Sequence, residues 1–306
     1  MTNAADAVAA MVTTQAGKAQ LSSWGLNKSW AEGGEDPCET VWAHACEEGE
    51  PHWHYVTSGL ADPAKVEAGA DAPASGLGYE LSFRLKRAPG EAKAPAWPVF
   101  CLQEFGWGIF QANMELDAGH YIRRRSVITG GDPPTELQGY YLIADPRLPS
   151  TRADSGSIKF LQLVGITEEE LLQCEAGEPD EMAAELLERS PLGITDLDRT
   201  TPDADEVDLQ QLNALQNALA RNCLEELPAG VAALTFSTSA TPGEDTFTHQ
   251  VEDGVAFQLN RRVDASVKRI FALHWAAGCE VTRMRTQLGK KPNGKWSVVV
   301  DFEYAD

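Results

Sequence analysis

No apolar run in the 306 residues approaches the roughly 20 that a membrane helix requires. Residues 1–20 also lack the basic start and continuous apolar centre of a secretion signal. A cytoplasmic protein is therefore expected. The six cysteines (Cys38, Cys46, Cys101, Cys174, Cys223, Cys279) show no Cys-x-x-Cys spacing, which argues against a zinc knuckle or a disulfide framework. No Gly-x-Ser-x-Gly elbow, His-Glu-x-x-His pair or phosphate-binding Gly-Lys-Ser loop occurs anywhere, so no enzyme class and no cofactor are indicated. Cations are scarce: 25 Lys and Arg stand against 46 Asp and Glu, a formal charge of -21 that repels nucleic acid and anionic membrane and suits a basic protein partner.

What is present is a set of short, strongly patterned stretches. Tyr79, Leu81, Phe83 and Leu85 alternate with Glu80, Ser82, Arg84 and Lys86, the period-two signature of a strand with one face in a core. Before it lies the aromatic stretch Pro51-His52-Trp53-His54-Tyr55-Val56, ending at Gly59 and separated from the alternating strand by a loop from Asp62 to Pro73. Gly76 and Gly78 are expected to bracket a turn. Val99, Leu102, Phe105, Ile109 and Phe110 recur at helical spacing behind Pro98, a residue suited to a helix start. Leu137–Ala144 reads as a strand, and Ile158–Gly165, apolar on both faces, as one covered on both sides.

Beyond residue 205 the pattern changes. Leu212, Leu215, Leu219 and Cys223 line one face of a helix, and a second helix carrying Val267, Ile270 and Phe271 is expected to be capped by Asp264. A hairpin follows around Pro292-Asn293-Gly294. A three-residue loop sets Val298 opposite Leu288 and Phe302 opposite Met284, matching apolar faces, whereas a two-residue turn does not.

The His-Trp-His-Tyr strand, followed by Gly76-Leu77-Gly78-Tyr79-Glu80-Leu81-Ser82-Phe83-Arg84-Leu85-Lys86-Arg87, resembles the core of the suppressor-of-fused (Sufu) domain. Ala96-Trp97-Pro98, Asp145-Pro146 and the run from Phe160 to Leu171 extend the likeness. Trp53, His54, Tyr55, Gly76, Gly78, Glu80 and Arg84 are the motif positions, read as structural. The resemblance covers about residues 38–200 and implies a mixed-sheet Sufu-like domain there. The Ala-, Ser- and Gly-rich start predicts a loosely held arm at residues 1–37, and the change of pattern across Pro191–Asp205 a smaller helix-plus-hairpin α+β domain at 206–306, an α+β protein as a whole. The last stretch is similar to the end of YezG-like immunity proteins of bacterial toxin systems.

The family resemblance implies protein binding without catalysis. Animal members take an extended peptide as an added strand between two domains, and bacterial ones are associated with immunity to polymorphic toxins. The chain's length and its lack of the animal proteins' long acidic insert place it with the bacterial group. Around the partner groove, Phe110, Gln111 and Gly119 match the animal pattern, while Gly108 and His120 replace a tyrosine and an acid. Partner-binding candidates are therefore Phe110, Gln111, Glu115, Leu116, Asp117, Gly119 and His120, with Glu115–Asp117 as an available strand edge. The alternatives are a regulator that sequesters a transcription factor and a small-molecule hydrolase using the loop from Asp117 to Asp132.

Two further features have plain readings. Glu80 and Arg84 share a strand face and are expected to form an ion pair. His52 and His54 also share a face, but zinc needs another ligand, which only His44 or Cys46 is near enough to supply, and no metal is expected.

Overall fold

The structure is a computed structural model describing residues 3–25, 30–47, 49–62, 74–200, 206–244 and 246–305. Leu26, most of the loop between Asp62 and Pro73, and residues 201–205 lie outside the described residues. The chain forms two compact units, one of residues 1–167 with 183–200 and the other of 168–182 with 201–306. The fold is α+β, with a large mixed sheet in the first unit and a small sheet with helices in the second.

The first unit contains α1 (Ala4–Ala16), β1 (Ser22–Gly25), β2 (Thr40–Cys46), β3 (His52–Ser58), β4 (Ala74–Lys86), α2 (Trp97–Ala112), β5 (Tyr121–Arg123), β6 (Leu137–Ala144), β7 (Thr151–Ala153) and β8 (Gly156–Thr167). The sheet runs β1-β2-β3-β4-β8-β6-β5, with β7 paired to β8. β4 pairs with β8 in parallel while the strand pairs on either side are antiparallel, which makes it mixed. Period-two alternation sorts the side chains. Trp53, Tyr55, Leu81, Phe83, Leu85, Leu161 and Leu163 form a core with Val99, Leu102, Phe105 and Ile109 of α2. Val56, Ile158 and Phe160, of opposite parity, form another with Val8 and Val12 of α1. The N-terminal segment is thus no loose arm: Val8 and Val12, one turn apart, are fully buried.

Gly76 and Gly78 lie inside β4, not at a turn, where the pairing with β8 shifts register between Ala74 and Tyr79. Gly76 has φ +57, and a Cβ there would sit 2.5 Å from the carbonyl carbon of Ala61 and 2.8 Å from the nitrogen of Asp62. Neither backbone atom can yield cheaply. Gly76→Ala is therefore expected to cost more than the about 1–2 kcal/mol of left-handed backbone strain alone. Gly90→Ala, with φ +80 but nothing within 4 Å, should cost only that strain. Urea unfolding of both variants checks this, and equal losses would show that the contact with Ala61 is immaterial.

The second unit holds α3 (Glu168–Glu175), the start of α4 (Pro179–Arg189), α5 (Leu209–Glu226), β9 (Ala233–Ala240), β10 (Phe247–Val251), α6 (Arg261–Ala276), β11 (Val281–Lys290) and β12 (Trp296–Tyr304). The strands pair as β10-β9-β11-β12. Leu215, Leu219 and Cys223 of α5 and Val263, Val267, Ile270 and Phe271 of α6 pack with Phe236, Met284 and Leu288. Residues 168–182 cluster here because Leu172 and Ala176 bury against Ala265, and Asn222 donates to the Ala176 carbonyl at 2.9 Å. Leu288 pairs with Val298 and Met284 with Phe302, the register of a three-residue loop. α6 begins earlier than an Asp264 cap implies: Asn260 Oδ1 accepts from the Val263 N–H at 2.9 Å, and Asp264 instead pairs with Lys268 at 2.8 Å.

Candidate functional site

On the sheet face opposite α2, alternate residues of β3, β4 and β8 build a buried polar layer. Its centre is Asp145, just after β6. Arg84 grips it with two bonds, Nη2 to Oδ1 at 2.8 Å and Nη1 to Oδ2 at 3.0 Å, and both side chains are buried. Ser82 Oγ donates to Oδ2 at 2.6 Å, and the Arg147 and Leu148 N–H groups donate to Oδ1 at 2.8 and 2.9 Å. Arg84 also donates to Gln162 Oε1, whose amide nitrogen donates to the Leu192 and Gly193 carbonyls at 2.9 and 2.7 Å. Burial works against the Asp145 carboxylate, but the hydrogen bond from His54 and the charge of Arg84 outweigh it and hold the carboxyl well below the usual range.

The expected ion pair between Glu80 and Arg84 does not form. Sharing a strand face brought them near, but Asp145 offers the bidentate geometry that a guanidinium prefers. Glu80 turns to the chain following β3. Its carboxylate accepts from Thr57 Oγ1 at 2.6 Å, the Gly59 N–H at 2.9 Å and the Ala61 N–H at 3.0 Å. Burial pushes its carboxyl above the ordinary value, against the pull of those donors.

Of the remaining motif residues, Trp53 and Tyr55 hold the opposite face and the rim, and His54 joins the polar layer. Trp53 Nε1 donates to Glu91 at 2.8 Å and its ring lies under the Arg87 guanidinium at 5.6 Å. The Tyr55 hydroxyl donates to the Pro95 carbonyl at 2.9 Å. His54 Nε2 stands 3.1 Å from Asp145 Oδ2. An ionised carboxylate only accepts, so Nε2 carries the proton and Nδ1 presents its lone pair. Burial and then Arg84 bring the His54 pKa down to about 3, and burial brings that of His44 down to about 4. His44 faces His54 directly across the β2–β3 pairing.

The partner-binding candidates divide. Phe110 is partly buried, edge-on to Trp30 with ring centroids 5.4 Å apart, and Gln111 is exposed. Glu115, Leu116 and Asp117 form no strand, and the Leu116 side chain is buried in the core with α2. Asp117 is exposed and pairs with Lys159 at 3.0 Å, a bond that lowers its carboxyl pKa. The strand edge lies further on. The Gly119 N–H donates to the Leu142 carbonyl at 2.9 Å, the Leu142 N–H to the His120 carbonyl at 2.8 Å, and β5 then runs beside β6 at the end of the sheet. Phe100 and Trp107, outside those candidates, are 67% and 49% exposed on α2. The signal was available: two large apolar residues seven apart, off the helix's core stripe.

The family model described as Suppressor of fused protein (SUFU) matches residues 34–200. The chain belongs to the suppressor of fused family. It is 35% identical to the Suppressor of fused homolog of Mus musculus over 155 residues, which are 47% of this chain and 31% of that protein. The chain thus matches about a third of the length of that Sufu relative. Among solved structures, Drosophila Suppressor of Fused aligns with a TM-score of 0.61 at 22% identity, covering 86% of this chain and 65% of that one. The structure described as the Sufu-Fu complex aligns with a TM-score of 0.60 at 24% identity, covering 65% and 91%. These structures share the Sufu fold. No helix among the described residues is long and apolar enough to cross a membrane.

Proposed function

We propose that this Sufu-family chain is a cytoplasmic, non-catalytic protein-binding module that neutralises a bacterial toxin domain by taking an extended segment of it along the open edge of β5. The observation that carries the binding mode is the position of β5, last in the sheet and, among the described residues, paired on one side with β6. Strand addition draws affinity from backbone groups and tolerates drift in side chains, which accommodates Gly108 and His120 where animal members differ. The exposed Phe100 and Trp107 on α2 supply apolar surface of the kind used in protein interfaces. A formal charge of -21 favours a basic partner and would steer its approach. Fu, the partner in the related complex, supports protein binding as the mode. The likeness of the C-terminal hairpin to YezG-like immunity proteins supports a toxin as the partner.

Two variants test the edge. The Arg124 N–H donates to the Gln138 carbonyl and the Leu142 N–H to the His120 carbonyl, so by the alternation of an antiparallel pair Ile122 faces β6 and the backbone of Tyr121 faces away from it. Tyr121→Pro removes that outward N–H at a place where an edge strand tolerates proline. Tyr121→Ala removes the side chain alone. Titration calorimetry against the toxin domain encoded beside the gene should show Tyr121→Pro weaker than Tyr121→Ala by about tenfold, the worth of roughly one hydrogen bond. Equal affinities would move the contact elsewhere, with β12, where Val299 and Tyr304 are half exposed, the next surface to test. A neighbouring regulator gene in place of a toxin gene would favour sequestration of a transcription factor.

A further inference from the structure

We infer that His44, Cys46 and His54 form a zinc-binding site on the first unit. The ligand atoms of these three side chains lie within 4.8 Å of one another. A tetrahedral zinc ion, with bonds of about 2.0–2.3 Å, sets its nitrogen and sulfur ligands about 3.5 Å apart. Closing to that distance takes a shift of about an ångström, and Cys46, the last residue of β2 and only partly buried, can rotate to make it.

The histidines are poised as ligands. Both are buried, and among the described residues neither ring nitrogen of His44 nor Nδ1 of His54 has a hydrogen-bond partner. Three orphaned nitrogens on two facing rings call for an explanation, because a buried polar atom left unpaired costs about 1–3 kcal/mol, and Arg84 Nε in the same layer is also unpartnered. A metal satisfies one on each ring at once. His54 Nε2 donates to Asp145, so its Nδ1 is the lone-pair nitrogen, and this carboxylate–histidine arrangement is the one that orients and strengthens zinc-bound imidazoles. Arg84 lies nearby, but its charge is spent on Asp145, and a Cys46 thiolate offsets that of the ion. A cavity of about 270 Å³ lined by Cys46, His52 and Arg84, among others, reaches the thiol side of the site, while His44 and His54 lie behind it, buried. Two imidazoles and one thiolate suit zinc better than calcium or magnesium, which prefer oxygen. From sequence alone no metal is expected, because strand histidines among aromatics usually bond to backbone; the pairing of β2 with β3 instead sets His44 opposite His54, with Nδ1 of His54 unpartnered among the described residues.

Cobalt(II) chloride added to the chelator-stripped full chain is the probe, since cobalt takes zinc's place and reports thiolate ligation by near-ultraviolet charge-transfer absorption. The expected result is one equivalent bound, with that absorption and intense visible bands of tetrahedral coordination, all discharged by zinc chloride. Cys46→Ser should abolish the charge-transfer band and weaken binding by more than the about hundredfold reached by changes outside the ligand sphere. His44→Gln should keep the band and weaken binding by at least about tenfold. Circular dichroism of the metal-free variants checks their folding. Should either fail to fold, the wild-type chain decides: zinc must slow iodoacetamide alkylation of Cys46 without protecting the other five cysteines. No cobalt bound at one equivalent, a charge-transfer band that survives Cys46→Ser, or alkylation of Cys46 unchanged by zinc would overturn the site.

Discussion

Arg84→Met should destabilise the first unit by about 3–5 kcal/mol, the usual cost of leaving one partner of a buried ion pair unmatched. Methionine keeps most of the volume, so the loss is electrostatic. Asp145 stays buried, and its remaining donors, Ser82, His54 and two backbone N–H groups, are neutral. Gln162 loses its guanidinium contact as well. Against a domain stability of about 5–15 kcal/mol, this is a large fraction. Adding Asp145→Asn removes the stranded charge, so the double variant should be more stable than Arg84→Met alone. Lys86 provides the contrast: its bridges to Glu50 and Asp196 span 3.0 and 2.7 Å, yet its side chain is 40% exposed, and Lys86→Met should change stability by no more than about 1 kcal/mol. Urea unfolding followed by tryptophan fluorescence measures all three. A double variant less stable than the single one would show that Asp145 matters for its hydrogen bonds more than for its charge.

The parts of the fold legible in sequence were those set by local period. The alternation from Tyr79 to Leu85 marked β4, and the apolar pairs Leu288 with Val298 and Met284 with Phe302 chose one hairpin register over its neighbour, because a one-residue slip would turn Phe302 to the wrong face. Long-range partners were not legible. Arg84 and Asp145 are 61 residues apart, and nothing in the strand pattern shows which of the chain's acids will face a guanidinium. The same applies to His44 and His54, whose meeting depends on how β2 and β3 come to pair. The strand edge was misplaced by a few residues for a different reason. Leu116 fits a short strand by composition, but its side chain fills the core beneath the exit of α2, and the chain becomes extended only beyond it. The helix α1 was missed because alanine gives it little hydrophobic contrast, although Val8 and Val12 already had the spacing of a buried stripe.

Glu80→Ala should be about as damaging as the loss of Arg84, for the opposite reason: it strands donors, not a charge. The carboxylate collects the Gly59 and Ala61 N–H groups and the Thr57 hydroxyl, and the Thr57 oxygen in turn accepts from the Leu81 N–H at 2.8 Å. One side chain thus fixes the path of the chain leaving β3, and with it Leu60 and Ala61, both buried. Each unsatisfied buried donor costs about 1–3 kcal/mol, and water entering the gap recovers part, so a net loss of about 3–5 kcal/mol is expected. Glu80→Gln should lose only about 1 kcal/mol. Its carbonyl oxygen can accept from Gly59 and Ala61 while its amide donates to the second lone pair of the Thr57 oxygen, a bond that reverses the one now made. That tolerance agrees with the direction of the Glu80 pKa, since an amide resembles the protonated acid that burial favours. Glu80→Asp keeps the charge but draws it back by one methylene, so it should fall between the two. Urea unfolding ranks the three variants. Glu80→Ala within about 1 kcal/mol of wild type would mean that the turn after Ser58 is held by packing of Leu60 and not by the carboxylate beneath it.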